Sequence, residues 1–422
     1  MLQLSIIKEN KESIITGLEK KFYKNAATDI ESILVLDKNR RETQQELDAV
    51  LAETNVKAKE IGVLIKSGQT TAVEELKQAT GDLKDKAKQL SDSLTQLEAE
   101  LQEILIRLPN IPHETVPEGR TPEENEVVFE YGKIPKLHED ALPHWELIKK
   151  YDIIDFELGN KITGAGFPVY KGYGARLQRG LINFFLEHAI DAGYTEIQPP
   201  ILVNADSGFG TGQLPDKEGQ MYHATSDNLY LIPTAEVPIT NLYRGNIIKE
   251  ESLPIKNAGY TPCFRREAGS WGADVRGLNR LHQFDKVEIV QIAHPDDSYK
   301  ILDEMVIYVQ GLLEKLDLPY RILRLCGGDM SFASALTFDF EVYSAAQKRW
   351  LEVSSVSNFE TFQANRLKLR GKGNSKPYLL HTLNGSALAL PRIVAAILEN
   401  NQYDGGIKMP SALIPYVGFD AI

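Results

Sequence analysis

The stretches YTPCFRREAG, residues 260–269, and RLHQFDKVEIVQI, residues 280–292, decide how the larger part of this chain is interpreted. Both have the composition and the alternation of β-strands. Because successive side chains of a strand point to opposite faces, Arg265 and Glu267 are expected on one face and Arg266 on the other. The loop GSWGADVRGLN, residues 269–279, would join the two strands into a hairpin.

The second strand carries four side chains of one parity, which are Arg280, Phe284, Lys286 and Glu288. A guanidinium group binds phosphate or carboxylate through two hydrogen bonds, an aromatic face stacks on adenine, and a carboxylate accepts from an exocyclic amine. The pattern therefore favours a site for a nucleoside triphosphate on this face of the hairpin. Composition alone leaves a second interpretation open, in which the hairpin is solvated and held by cross-strand charge pairs.

The length and composition of the chain indicate a soluble globular protein with two or three domains. The chain has 422 residues, of which 42% are hydrophobic, and its formal net charge is -12. A nucleic-acid partner would therefore be bound by local basic patches rather than by the overall field.

Cysteine usage and the N-terminal sequence favour a reducing, cytoplasmic setting. Cys263 and Cys326 are the two cysteines of the sequence, and the eight histidines show no zinc-binding spacing, which argues against disulfides and against bound zinc. The apolar part of MLQLSIIKENKE, residues 1–12, is too short and too early for a signal peptide, and no later window has the length of a membrane span. No membrane association is expected.

The segment from Val73 to Leu108 has the heptad periodicity of a coiled coil. One series repeats every seven residues and a second runs four residues behind it; the members are Leu76, Leu83, Leu90, Leu97 and Ile104, and Thr80, Ala87, Leu94, Leu101 and Leu108. The preceding segment has a looser series, which we assign to Leu47, Leu51, Thr54, Ala58, Ile61 and Ile65.

The short link IKSGQT, residues 65–70, predicts that the two helices are antiparallel, so residues 29–108 should form a helical hairpin. At about 1.5 Å per residue the second helix would span roughly 55 Å. Such an arm is too thin to be a core, and by itself it is equally compatible with a dimerisation coil or a spacer. The three prolines of LPNIPHETVPEG, residues 108–119, then end the helix and predict two domains, 1–110 and 111–422.

Beyond this boundary, strand-like runs alternate with helices such as GARLQRGLINFFLEHAIDAG, residues 174–193, which indicates an α+β domain built on a sheet. No GxxxxGK[ST] loop occurs, and GAGFPV, residues 164–169, lacks the third glycine of a dinucleotide fingerprint. Any phosphate group must therefore be bound by a site other than a glycine-rich phosphate loop.

The hairpin sequence resembles a known family. FRREAG followed by RLHQFDKVE resembles motif 2 of the class II aminoacyl-tRNA synthetases, and in detail it is similar to the bacterial type of seryl-tRNA synthetase. GYTEIQPPILVN, residues 193–204, resembles motif 1, which ends at a proline, here Pro200, and builds a homodimer interface. HTLNGSALALPRIVAAILENNQ, residues 381–402, resembles motif 3, a strand followed by a helix that carries an arginine, here Arg392.

Two further segments extend the resemblance over nearly the whole chain. PTAEVPITNLYRG, residues 233–245, matches the serine-binding TAE segment, and LEVSSVSN, residues 351–358, matches the family's metal-binding segment. The resemblance implies an α+β catalytic domain with an antiparallel sheet flanked by helices, plus an N-terminal antiparallel coiled-coil arm. It also implies that serine and ATP form seryl-adenylate and that serine is then transferred to serine tRNA, with selenocysteine tRNA as a further substrate where it exists.

Residue roles also follow from the resemblance. Arg265 would bridge the serine carboxylate and the α-phosphate, Arg280 and Arg392 would hold the outer phosphates of a bent ATP, Glu267 would bind the adenine amine, and Phe284 would stack on the base. Glu352 and Ser355 would bind Mg²⁺ at the ATP site. Thr234 and Glu236 would contact the ammonium group of serine, and Glu288, Asn384 and Ser386 would line the pocket for its side chain.

Some positions depart from the family pattern. The family often has glycine where this chain has Ala387 and Pro391, and cysteine where it has Val356. A proline in the first helical turn is tolerated, so motif 3 is expected to be intact. TFDFEVY, residues 337–343, and QANR, residues 363–366, also differ from the usual sequence of the family. The packing between residues 337 and 366 is left without a prediction.

Lysines toward the tip of the arm are candidates for phosphate contacts with serine tRNA; they are Lys57, Lys59, Lys66, Lys77, Lys84, Lys86 and Lys88. The alternative is that they are solubilising partners of Glu60, Asp82 and Asp85. Two alternatives for the whole chain are a related ligase that loads a carrier protein, which would lack the long arm, and a coiled-coil interaction protein with an inactive catalytic fold.

Overall fold

The computed structural model describes residues 1–66, 69–216, 219–267, 276–374 and 376–422. Its helices are α1 (Leu4–Glu9), α2 (Lys11–Lys20), α3 (Ala26–Lys66), α4 (Thr70–Arg107), α5 (His144–Lys150), α6 (Phe156–Ile162), α7 (Gly172–Asp191), α8 (Ala205–Thr211), α9 (Glu236–Asn241), α10 (Ser298–Lys315), α11 (Thr361–Leu367), α12 (Leu390–Asn400) and α13 (Ile414–Val417). None of these helices, within the described ranges, is long and apolar enough to cross a membrane.

The strands are β1 (Glu126–Tyr131), β2 (Ile154–Asp155), β3 (Val169–Tyr170), β4 (Thr195–Glu196), β5 (Leu202–Val203), β6 (His223–Ala224), β7 (Leu229–Leu231), β8 (Ile247–Lys249), β9 (Ile255–Phe264), β10 (Gln283–Ala293), β11 (Tyr320–Arg324), β12 (Leu336–Ser344), β13 (Arg349–Asn358), β14 (Arg370–Lys372), β15 (Tyr378–Leu379), β16 (His381–Ala389), β17 (Gln402–Tyr403) and β18 (Gly406–Ile407). The chain divides into two compact units. One contains residues 2–19 and 23–109, and the other contains Met1, Lys20–Phe22 and Asn110–Ile422.

The first unit is built around the predicted helical hairpin. Helices α3 and α4 pack along each other, and Lys86 of α4 forms an ion pair of 2.7 Å with Glu46 of α3. Every predicted seam position of α4 is buried or half-buried, which confirms the periodicity of that helix. The link between the helices includes Ser67 and Gly68, which lie outside the described residues.

The predicted seam of α3 was partly wrong. Leu51, Ala58 and Ile65 are exposed, and the side chains that face α4 follow the other spacing, Leu47, Val50, Thr54, Lys57, Ile61 and Leu64. Apolar residues stand both three and four positions after Leu47 and Ile61, so the sequence fits either seam. Both series alternate steps of three and four residues, and packing against α4 selects the register that places Val50, Lys57 and Leu64 in the seam.

Helices α1 and α2, which precede the hairpin, were not predicted. They pack beside α3, where the fully buried carboxylate of Asp37 forms ion pairs with Lys8, Arg40 and Arg41. Burial opposes ionisation of this group, but hydrogen bonds from Lys8 and Arg40 outweigh it and lower the pKa of Asp37. This cluster anchors the base of the hairpin within the first unit.

The second unit contains an eight-stranded sheet with the order β1-β11-β12-β13-β16-β10-β9-β4. Its neighbouring strands are antiparallel, except that β4 is parallel to β9. Helices α7, α10 and α12 cover the sheet with side chains that are fully buried, among them Phe184, Leu313 and Ile393. Burying one such side chain stabilises a fold by about 1.5–3 kcal/mol. The predicted α+β fold class is confirmed.

The centre of this sheet carries the segments that the sequence analysis singled out. Strands β9 and β10 pair antiparallel with Cys263 opposite Phe284, and β16 lies on the other side of β10 with Ser386 opposite Glu288. Strand β16 runs directly into α12, and Pro391 occupies the first turn of that helix without interrupting it. The expectation that this proline is tolerated is confirmed.

Candidate active site

The exposed end of the β9–β10 hairpin brings Arg265 over an aromatic ring. Strand β9 ends at Phe264, but the Arg265 backbone N–H still donates to the His282 carbonyl oxygen at 2.9 Å, so the pairing continues past the strand. The guanidinium carbon lies 5.2 Å from the centroid of the Phe284 ring. Within the described residues Arg265 forms no ion pair, so its charge is available to a ligand.

Glu267 and Arg280 lie on the same side of the hairpin and contact each other. Arg280 Nη1 donates to Glu267 Oε2 at 2.7 Å, although the two residues were assigned to different parts of ATP. Glu267 has a φ of +48°, so its backbone has left the extended conformation that the strand alternation assumed. Ala268 and Gly269, the last residues of FRREAG, lie outside the described residues, as does most of the loop that follows.

Arg392 reaches the same region from α12. Its Nε donates to the Asn279 carbonyl oxygen at 3.1 Å and its Nη1 to the Glu352 carbonyl oxygen at 2.6 Å, and the Glu352 carboxylate lies 3.6 Å from Nη1. Two backbone contacts therefore fix the direction of this guanidinium group. The structure brings Arg392 next to Asn279, the residue that precedes Arg280.

A buried acidic pocket lies on β10 and β16. The Glu288 carboxylate is fully buried and accepts from Asn384 Nδ2 at 2.7 Å and from Ser386 Oγ at 3.3 Å. Lys286, also buried, pairs with Glu288 at 2.7 Å. The structure thus brings the three residues predicted for the serine side chain together, and it adds Lys286, whose parity in the sequence already placed it on this face.

Glu236 is the second buried carboxyl group of the pocket. Burial and the nearby charge of Glu288 raise its pKa to about 7, against the opposing effects of Gln363, Lys286 and Arg265. Gln363 Nε2 donates to Glu236 Oε1 at 2.6 Å, while its Oε1 accepts from Thr382 at 2.6 Å. Thr234 is buried beside this group, and its Oγ1 accepts from the Glu236 backbone N–H at 3.3 Å.

Glu352 and Ser355, the predicted metal ligands, lie on β13. Ser355 Oγ donates to the carboxylate of Asp339 on β12, and burial, followed by the charge of Glu352, raises the pKa of Asp339 well above its usual range. These oxygen donors suit Mg²⁺, which usually takes one or two carboxylates together with substrate phosphates. No group of three or more acidic, histidine or cysteine ligands occurs in the described part of the chain.

Two residues of the site were missed by sequence reasoning, Gln363 and Asp339. Both fall in the stretches that depart from the family wording, QANR and TFDFEVY, where no residue role was assigned. Their value as site residues comes from side-chain contacts across the sheet, which no local pattern reveals.

A cleft of about 590 Å³ lies on the other face of the same hairpin. Asp285, which alternates with Phe284 and Lys286, accepts there from Gln178 of α7 at 2.7 Å and from Tyr260 of β9 at 2.8 Å. Helix α7 and strand β4 line the cleft, and β4 lies in the segment 193–204 that resembles motif 1. None of the predicted ATP or serine ligands lines it, so this cleft is separate from the candidate active site.

The candidate lysines of the arm differ in their surroundings. Lys57 is half-buried in the seam and lies 3.4 Å from Glu53, and Lys86 is paired with Glu46. Lys86 is nevertheless exposed, as are the remaining candidates, which are Lys59, Lys66, Lys77, Lys84 and Lys88. Of the acidic partners considered from sequence, Glu60, Asp82 and Asp85, none forms an ion pair with these lysines among the described residues.

The antiparallel sheet, the arginine pair of motifs 2 and 3 and the buried acidic pocket define a class II aminoacyl-tRNA synthetase core. Residues 221–401 match the family model for the tRNA synthetase class II core domain (G, H, P, S and T), and residues 1–112 match the model for the seryl-tRNA synthetase N-terminal domain.

Individual relatives agree with these models. The chain is 50% identical to the serine–tRNA ligase of Salinibacter ruber, with 93% of this chain and 92% of the relative covered, and 45% identical to that of Chlorobaculum parvum, with 100% of both covered. Among solved structures, a seryl-tRNA synthetase from Pyrococcus horikoshii complexed with ATP superposes with a TM-score of 0.93 at 31% identity, covering 100% of this chain and 99% of that one. The chain belongs to the seryl-tRNA synthetase family, as the motifs predicted.

Proposed function

We propose that this chain is an ATP-dependent serine–tRNA ligase whose reaction takes place on the β9–β10–β16 face, where it forms seryl-adenylate and then transfers serine to the 3′ end of serine tRNA. Membership of the seryl-tRNA synthetase family supports the reaction. The observation that carries the location is the buried Glu288 carboxylate, held by Asn384, Ser386 and Lys286 on the hairpin that presents Arg265.

On the amino-acid side, the pocket offers one carboxylate for each of the two hydrogen-bond-donating groups of serine, the ammonium group and the hydroxyl. Glu236, with Thr234 beside it, binds the ammonium group, and Glu288 accepts a hydrogen bond from the hydroxyl. A pocket built around a substrate hydroxyl rejects the analogue that lacks it, because the buried acceptor then loses its partner. This chemistry favours serine over alanine.

On the nucleotide side, Arg265 holds the serine carboxylate against the α-phosphate, and the adenine base occupies the Phe284 face. A bent ATP lets Arg280 and Arg392 bind the outer phosphates while Glu267 accepts from the adenine amine. The serine carboxylate oxygen attacks the α-phosphorus and pyrophosphate leaves. The chain supplies no nucleophile, so catalysis rests on alignment and on neutralising the phosphate charge.

Mg²⁺ fits the donor set of β12 and β13. Glu352 and Ser355 would hold it, and Asp339 would orient Ser355 through their hydrogen bond. When bound, the ion would neutralise negative charge on the phosphates. The position of the Glu352 charge beside the Asp339 carboxyl group supports cation binding here.

The remaining partners follow from the two units. Residues 1–110 are proposed as the tRNA-binding arm and residues 111–422 as the catalytic domain. The exposed lysines of the arm would contact phosphates of serine tRNA, and selenocysteine tRNA would be charged where it exists. A homodimer would form through α7 and β4, where the cleft beside Asp285 is lined by motif 1, and the enzyme would act in the cytoplasm.

The two alternatives are not favoured. The match of residues 1–112 to the family's N-terminal domain argues against a carrier-protein ligase that lacks the arm. The assembled contacts of Arg392, Glu288 and Glu236 argue against an inactive core.

Serine-dependent ATP–pyrophosphate exchange on the purified chain tests the proposal, with threonine and alanine as competing amino acids. Exchange with serine alone, followed by charging of serine tRNA, is the expected result. Exchange that prefers another amino acid, or adenylate that is transferred to a carrier protein and not to tRNA, would refute it.

A further inference from the structure

A buried polar network lies at the C-terminal end of α12, among residues to which neither serine nor ATP was assigned. His144 of α5 and Glu399 of α12 are fully buried, and His144 Nδ1 lies 2.7 Å from Glu399 Oε1. Gln347 Nε2 donates to the same carboxylate oxygen at 2.9 Å, and Ser344 Oγ donates to the other. The network therefore joins α5, α12 and the turn between β12 and β13.

The imidazole of His144 has a defined orientation. The Leu278 backbone N–H donates to His144 Nε2 at 2.8 Å, so Nε2 is an acceptor and the ring proton is on Nδ1, which donates to Glu399. Burial opposes ionisation of Glu399, but the hydrogen bond from His144 outweighs it and lowers the pKa of this carboxyl. An ionised Glu399 thus fixes the ring that holds Leu278.

Residues 276–279, here called the return segment, are docked on α5 along their length. Arg276 lies 4.8 Å above the Trp145 ring and 3.2 Å from Glu146. Gly277 has a φ of +65°, and a Cβ atom there would lie 2.3 Å from His144 Nε2. Only glycine fits at this position, so the close approach to His144 is built into the backbone.

The return segment leads into the arginines of the active site. Asn279 Nδ2 donates to Gln347 Oε1 at 2.9 Å, and the Asn279 carbonyl oxygen accepts from Arg392 Nε at 3.1 Å. Arg280, which follows, contacts Glu267 at 2.7 Å. Asn279 therefore contacts the Arg392 guanidinium group and directly precedes Arg280, and its own position is set by Gln347 and by the backbone that His144 holds.

We propose that His144 is a positioning residue for ATP: it holds the return segment so that Arg280 and Arg392 converge on the outer phosphates. The inference rests on the proposed function, since it assumes that these arginines bind ATP. It goes beyond that function because His144, Gln347 and Glu399 contact no substrate and act through Asn279 and Leu278.

Two substitutions separate the halves of the His144 interaction. The amide nitrogen of Asn in His144→Asn replaces Nδ1 and keeps the donor to Glu399, but it leaves the Leu278 N–H without its acceptor. The amide oxygen of Gln in His144→Gln reaches the Nε2 position and keeps that acceptor. We expect His144→Asn to raise both the KM and the calorimetric Kd for ATP about tenfold, the effect of one lost buried hydrogen bond.

The KM for serine should change by less than about twofold in the same variant, because the Glu288 and Glu236 pocket is not in the network. His144→Gln should keep the KM for ATP within about threefold of the wild type. Gln347→Met is a milder change on a half-buried side chain, and it should raise the KM for ATP in the same selective way. It decides the question if both His144 variants fail to fold.

His381→Asn is the matched control, since His381 is also buried and is hydrogen-bonded to Ser298 at 2.7 Å, away from the return segment. It should lower Tm without changing the KM for ATP. An unchanged Kd for ATP in His144→Asn, or an equal rise of KM for ATP and serine in both His144 variants, would overturn the inference. A wild type that binds ATP but shows no serine-dependent exchange would instead refute the proposed function.

Discussion

At the scale of single residues, the serine pocket concentrates buried charge. Glu288 and Lys286 form a fully enclosed pair, and Glu236 lies within reach of the charges of both. Buried charges are costly unless they are paired, and removing one partner leaves the other unpaired. Each carboxylate of this pocket therefore has a measurable consequence for the binding of serine.

Glu288→Gln keeps the shape of the side chain but weakens the acceptor for the serine hydroxyl. We expect the ratio of kcat/KM for serine over alanine in pyrophosphate exchange to shrink, mainly through loss of serine activation. Thermal unfolding should be measured alongside, because Lys286 loses its partner. An unchanged ratio would mean that another group binds the hydroxyl.

The raised pKa of Glu236 predicts that the binding of serine depends on pH. Its pKa of about 7 means that the carboxyl is neutral at lower pH and attracts the ammonium group of serine weakly. As the pH rises through about 7 the group ionises, so the KM for serine should fall. Glu236→Gln should remove this inflection, and a KM profile that is the same in wild type and variant between pH 6 and 8 would contradict the assignment.

Substitution of Arg265 is expected to cause the largest loss in the rate of adenylate formation. Its guanidinium group lies over Phe284 and is proposed to contact both reacting partners. Arg265→Ala should lower the rate of adenylate formation by at least about a hundredfold. Arg266→Ala is the adjacent control, because that exposed side chain has no role in the proposed mechanism. Exchange by Arg265→Ala within a few fold of the wild type would refute the assignment.

At the scale of elements, the candidate lysines on the two arm helices differ in whether they form ion pairs. Lys57 and Lys86 form ion pairs with Glu53 and Glu46, whereas the other five candidates are exposed and can contact phosphate. Helix α4 places Lys77 to Lys88 over about 17 Å of its length, at 1.5 Å per residue. The arm therefore presents a track of separate cations rather than one patch.

Replacing the exposed lysines Lys59, Lys66, Lys77, Lys84 and Lys88 with glutamine should weaken the binding of serine tRNA. Each lost phosphate contact should reduce the slope of log affinity against log salt by about one. Pyrophosphate exchange should not change. The paired control, Lys57→Gln with Lys86→Gln, should have a smaller effect on tRNA binding. Equal effects of the two sets would indicate that the lysines serve solubility.

At the scale of the whole molecule, the two compact units separate the proposed tasks. All residues proposed to bind serine, ATP and Mg²⁺ belong to the unit that contains residues 110–422, and the lysines belong to the other unit. Strands β9, β10, β13 and β16 pair with one another within the unit that contains residues 110–422, and these pairings do not involve α3 or α4. Activation and tRNA binding should therefore be separable by truncation.

Replacing residues 29–108 with a short Gly/Ser linker should leave serine-dependent exchange near the wild-type rate, while transfer of serine to tRNA should collapse. Sedimentation equilibrium should show both proteins as dimers, the full chain at about twice its mass of 47.2 kDa. If the truncated dimer charges tRNA at a comparable rate, the arm is a spacer or a partner coil.

The sequence by itself determined the family, the helical hairpin and the candidate residues for binding serine and ATP. Motif order and the heptad of α4 are patterns that can be recognised in the sequence alone. Glu288, Asn384 and Ser386 could be assigned to one pocket through the resemblance alone. The α3 seam could not be assigned, since apolar residues fit two registers and only contact with α4 distinguishes them.

Only the tertiary structure decided which polar groups meet. His144 reaches Glu399 across 255 positions and Glu236 reaches Gln363 across 127, and neither pair has a local signal. Such contacts form when the sheet and α12 bring distant segments together, and burial then makes each hydrogen bond obligatory because an unpaired polar group in the interior is costly. The pKa of Glu236 and the position of the return segment against α5 are therefore properties of the folded chain.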